Sequence, residues 1–138
     1  MLKKEFVPYE QALALKELGF DEPCFATYQK GLKGPIMWDY WSIELMNSTN
    51  EEDEVECTAP TFSQAFRWFR ETYNIDAWVQ PFVAQSKKNI PYLPDESYGY
   101  FIFKDGVFVC DKVDLLGPEE AELACLIELI KIAKENKQ

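Results

Sequence analysis

The sequence predicts an α+β fold, and three stretches carry that prediction. TFSQAFRWFRETYN has the start, face and stop of a helix, YGYFIFKDGVFVC is a β-hairpin around Asp105-Gly106, and GPEEAELACLIELIKIAKENKQ is a long closing helix. With the shorter segments upstream the order becomes α-β-β-α-β-β-β-α. Hairpin connections and one crossover point to an antiparallel or mixed sheet of about five strands, with helices packed mainly on one face. A length of 138 residues suits one globular domain over 1–138.

Taken in order, Pro8 to Leu18 is a short helix closed by Gly19 at its C-cap position. Cys24 to Tyr28 is a short strand. The turn-rich QKGLKGP leads into a second strand, about Met37 to Leu45, rich in Trp, Tyr and Ile. The tract NSTNEEDEVECTAP, at about 47–60, lacks periodicity and reads as an exposed acidic loop. Thr61 is then a good N-cap, with Gln64 at the capping-box spacing. Phe62, Phe66, Phe69 and Tyr73 fall in a narrow stripe on a 3.6-residue wheel, which makes them expected core, while Ser63, Arg67 and Arg70 lie on the other side. Asn74 can end this helix. Asp76 to Val83 continues as a strand, and Pro81, lacking an amide donor, assigns it to a sheet edge or a bulge. A polar loop at about 85–97 precedes the hairpin. In the closing helix Pro118 suits the first position, Glu119, Glu120 and Glu122 favour the positive end of the dipole, and lysines gather at the far end.

Composition excludes more chemistry than it offers. The net charge is −10, and Asp39, Glu44, Glu51, Glu52, Asp53, Glu54 and Glu56 follow one another with no lysine or arginine between them. Such a chain should repel nucleic-acid phosphates and anionic membrane surfaces, so neither is an expected direct partner. No run of about 18 apolar residues marks a membrane span, and charges interrupt the N-terminal apolar positions of any signal peptide; the expected location is the cytoplasm. The absence of histidine removes the commonest general base and metal ligand, and with them Ser-His-Asp and Cys-His arrangements. Neither G-x-x-x-x-G-K-[ST] nor G-x-G-x-x-G occurs. Cys24, Cys57, Cys110 and Cys125 are widely spaced without a CxxC pair, as befits reduced core thiols and not a zinc site or a disulfide framework. No catalytic residue, metal or cofactor is assigned, and the reading leans away from an enzyme.

Candidate binding residues are aromatic and acidic. Trp38, Tyr40 and Trp41 are nearly consecutive, so one strand presents rings to both faces, and one face needs a covering helix, a partner or a ligand. Trp68 projects about 100° from the phenylalanine stripe beside Arg67 and close to Arg70, a composition common at interfaces. Glu51, Glu52, Asp53 and Glu54 form a charged loop, a solvated face or an electrostatic contact. In the closing helix Leu123, Leu126, Ile127, Leu129, Ile130, Ile132 and Ala133 cover more circumference than one sheet face needs. That surplus predicts a second helix against it or a homodimer through it.

The blocks APTFSQAFRWFRETYNI and GPEEAELACLIELIKIAK, with ELGFDEPCFATY upstream, resemble a family of small uncharacterised proteins carried by gut Bacteroidales and by their phages and mobile elements. The resemblance covers most of the chain outside the acidic loop and the lysine-proline loop. It implies a cytoplasmic accessory role in phage–host interaction and supplies no catalytic or binding residue to carry over. Together these readings favour a small acidic protein-binding module. The alternatives are a carboxylate-based enzyme or small-molecule binder with an aromatic pocket, and an acidic mimic of nucleic acid.

Overall fold

The computed structural model describes residues 2–31, 34–37, 46–47, 55–82, 97–115 and 117–136. The fold is α+β. The expected elements occur in the expected order, with one further strand, and the six strands among the described residues form two three-stranded antiparallel sheets. The chain gathers into two compact units, one of Met1–Ala65 with Ala133–Gln138 and one of Phe66–Ile132.

In the first unit α1 (Tyr9–Leu18) ends where the sequence places its stop. Gly19 has φ 102°, in the left-handed region, and its N–H donates to the Lys16 carbonyl at 3.0 Å. Nothing lies within 4 Å of a methyl group placed on Gly19. Gly19→Ala should therefore add backbone strain alone, about 1 kcal/mol, read as a lower urea midpoint with an unchanged slope. An unchanged midpoint would mean that the left-handed cap is not what ends this helix.

The first sheet places β1 (Ala26–Gln29) between β2 (Ile36–Met37) and β3 (Val55–Thr58). Strand β3 corrects the expected loop at 47–60, whose last residues pair with β1 through Tyr28↔Cys57 and Thr27↔Thr58. Four residues are too few to display a period behind a run of acids, and it is the burial of Cys57 and Thr58 that makes them strand. Asn47 fastens this edge: its Nδ2 donates to the Phe20 carbonyl at 2.8 Å, and its Oδ1 accepts from the Thr58 N–H at 3.0 Å. The Tyr28 hydroxyl donates to the Val7 carbonyl at 2.6 Å, so this buried tyrosine keeps its polar end satisfied.

Helix α2 (Phe62–Tyr73) has half of the expected capping box. Thr61 Oγ1 accepts from the Gln64 N–H at 3.2 Å, but the Gln64 side chain turns instead to the Pro23 carbonyl, its Nε2 donating at 2.6 Å. The buried face is also rotated from the expected stripe. Phe62, Ala65, Trp68 and Phe69 are buried, whereas Phe66 and Tyr73 are half-buried. The Trp68 ring packs edge-on to Phe69 at 5.1 Å and to Tyr73 at 5.5 Å. Removing this large ring from water pulls the core-facing arc toward it, and Ala65 is small enough to allow close approach.

The second unit is built on β4 (Ile75–Phe82), β5 (Ser97–Lys104) and β6 (Val107–Leu115), with β5 central. Pro81 accordingly lies on an edge strand, as its missing donor requires. Asp105 and Gly106 have φ of 52° and 79°, both positive as a two-residue hairpin turn of type I′ demands. One face of the sheet buries Ile75, Tyr100 and Ile102. The last helix, α3 (Pro118–Asn136), belongs to this face: its Glu128 and Cys125 act electrostatically on Tyr100 and Cys110. Leu126, Leu129, Ile130 and Ile132 are all buried in a single copy of the chain, while Ile127 is 47% exposed. Much of the apolar surplus of this helix is thus buried within one copy of the chain, with Ile127 left exposed.

Candidate functional site

Strand register decides which side chains share the other face of the second sheet. Trp78 stands opposite Phe101, Asp76 opposite Phe103, and Phe103 opposite Phe108. Residues directly opposite in an antiparallel pair point to the same side. Asp76, Trp78, Phe101, Phe103 and Phe108 therefore lie together, away from Ile75, Tyr100 and Ile102. Trp78 stacks on Phe101 at 5.6 Å and on Phe103 at 5.3 Å, and Phe103 meets Phe108 edge-on at 5.7 Å. Trp78 remains 41% exposed and Phe108 52%. Beside them Val109 is the extra residue where the β5–β6 register shifts, and it too is exposed. The Trp78 indole N–H donates to Gln80 Oε1 at 3.0 Å, which fixes the ring's orientation. The strand lysines Lys104 and Lys112 pair with Ile75 and Tyr100 and so fall on the opposite side. Asp76, opposite Phe103, and Asp111, opposite Phe101, are charged residues of the ring face.

At one end of this face is a cleft of about 430 Å³ lined by Arg70, Asp76, Ala77, Trp78, Phe103 and Gly106. Four parts of the chain meet there: the last turn of α2, the start of β4, the end of β5 and the hairpin turn. Asn74, at φ 56°, reverses the chain between helix and strand. Its carbonyl accepts from the Asp105 N–H at 3.0 Å, and its Nδ2 donates to Asp105 Oδ1 at 2.9 Å. These two bonds tie the helix–strand corner to the hairpin turn and so hold the walls of the cleft. Arg70 and Asp76 are both exposed, and no ion pair joins either to another described residue.

Of the residues singled out in the sequence, Arg70 lines this cleft and Arg67 is exposed on the same helix. Trp68 is buried to 7% exposure, so it is a packing residue and not an exposed contact. Trp38, Trp41, Glu51, Glu52, Asp53 and Glu54 lie outside the described residues. Sequence reasoning missed Trp78, Phe103, Phe108 and Asp76. The signal was present in YGYFIFK, where Tyr100 and Ile102 alternate with Phe101 and Phe103, so that large apolar residues occupy both faces of one strand.

All four cysteines are free thiols. Burial pushes Cys24 and Cys57 up to about 11 and Cys125 up to about 12, far from the thiolate needed of a nucleophile. The Tyr9 hydroxyl donates to the Glu56 carboxylate, a bond that raises the phenol to about 12. Among the described residues no cluster of three or more metal-ligating side chains occurs, and no helix is long and apolar enough to cross a membrane. Comparison with protein-family models, curated proteins and solved structures finds no match, so the resemblance read from the two helix blocks draws no support from them.

Proposed function

We propose that the protein is a non-enzymatic protein-binding module whose contact surface is the ring face of the β4–β5–β6 sheet. The observation that carries this reading is the run Trp78–Phe103–Phe108, large rings in mutual contact with Trp78 and Phe108 left exposed. Interface cores are rich in such side chains, and a contiguous exposed apolar patch favours association. The net charge of −10 adds long-range attraction for a basic partner, to which Glu51, Glu52, Asp53 and Glu54 contribute.

The test is quantitative capture from lysate with three folded variants. A protein retained by the native chain should be lost at least about tenfold on Trp78→Ser and Phe108→Ser, the size of effect expected of an interface hot spot. It should be retained by Ile127→Ser, which changes an exposed apolar side chain on α3. Equal retention by all three variants would remove the ring face from the interface. A second reading, a small-molecule binder with an aromatic pocket, is favoured by the cleft beside Trp78.

A further inference from the structure

We infer that the Arg70–Asp76 cleft binds a small zwitterion, specifically a free α-amino acid with an aromatic or large apolar side chain. This rests on the small-molecule reading and names its ligand class. The cleft carries one group of each sign on separate elements, Arg70 from the last turn of α2 and Asp76 from β4, with Trp78 and Phe103 also in its lining. These two rings are nearly parallel, with 12° between their planes. Their exposed surface suits a flat apolar side chain by stacking, and the indole face also attracts an ammonium group. Arg70 offers a planar fork of donors that matches a carboxylate. Asp76 accepts from an ammonium. The carboxylate of Asp105, beside Gly106 in the hairpin turn, is already engaged by Asn74 and does not line the cleft.

The charges choose among ligand classes. A purely cationic ligand meets Arg70, and a purely anionic one, such as a phosphate ester, meets Asp76 and the −10 of the whole chain. A compact body carrying both charges pairs each with its opposite. The termini of a bound protein segment supply one charge at a time, whereas a free amino acid supplies both within one molecule. The volume, about 430 Å³, lies in the range of small-ligand sites, about 300–1,000 Å³.

Four probes test this on the full chain: phenylalanine, N-acetylphenylalanine, phenylalanine amide and N-acetylphenylalanine amide. Affinity is read by calorimetry, and the site by the backbone amide resonances of Ala77 and Gly106. Phenylalanine should bind best, and removal of either charge should weaken binding at least about tenfold, as for a lost charge-assisted hydrogen bond. Arg70→Gln should abolish the preference for phenylalanine over its amide, and Asp76→Asn the preference over the N-acetyl form. Both side chains are exposed, so both variants should fold, which circular dichroism checks. If the doubly capped probe binds as tightly as phenylalanine at Ala77 and Gly106, the pocket stands and the zwitterion inference falls. If no probe moves those resonances at millimolar concentration, the small-molecule reading falls with it.

Discussion

Phe69→Ala should destabilise the protein by about 3–5 kcal/mol, the range for truncating a fully buried phenylalanine. Phe69 has no exposed surface and contacts the rings of Trp68 and Tyr73 at 5.1 and 5.9 Å. Its removal leaves a cavity among aromatic neighbours that are themselves held by packing, so little collapse can fill it. Phe66→Ala should cost roughly half as much or less, because Phe66 is only half-buried and already exposes part of its ring to water. Urea unfolding of the two variants side by side checks the order. A larger loss at Phe66 would restore the stripe drawn from the sequence wheel and overturn the rotated core face.

Stability should also fall as the solution is made alkaline, from about pH 9 upward. An unfolded cysteine loses its proton near 9.0, whereas burial holds the folded thiols of Cys24 and Cys57 to about 11 and that of Cys125 to about 12. The folded state then binds more protons than the unfolded state throughout that window, so unfolding becomes easier with each step in pH. Below about pH 9 the contribution is fully present, and it is lost as pH rises through the folded values. For Cys24 the interval from 9.0 to about 11 corresponds to on the order of 3 kcal/mol. Tyr28, pushed from 10.0 to about 12 by burial, adds to the loss in its upper part. Denaturant midpoints measured at intervals from pH 8 to pH 11 provide the check, with Cys24→Ala and Cys125→Ala expected to flatten the curve. Midpoints constant to pH 11 would mean that these thiols are not buried in solution.

Local signals were legible where one short stretch contains its own cause. The Asp105-Gly106 turn, the Gly19 stop, the Thr61 cap and the edge position imposed by Pro81 each follow from backbone chemistry within a few residues. Strand β3 was not legible, because Cys57 and Thr58 become strand only by pairing with Tyr28 and Thr27, about thirty residues earlier. Gln64 likewise carried the right spacing for a capping box, yet its amide found the Pro23 carbonyl.

The candidate site divides in the same way. The amino-acid sequence by itself determined the α+β class, the helix and hairpin segments and the acidic, histidine-free composition, since each depends on composition or on neighbours along the chain. Tertiary structure decided that Trp68, beside Arg67, is buried and that Trp78, between Ala77 and Val79, is exposed. It also brought Arg70, Asp76 and Gly106 to one cleft. A wheel or an alternation gives the angle of a side chain about its own element, but only the register of β4, β5 and β6 and the Asn74–Asp105 clasp determine which elements face one another.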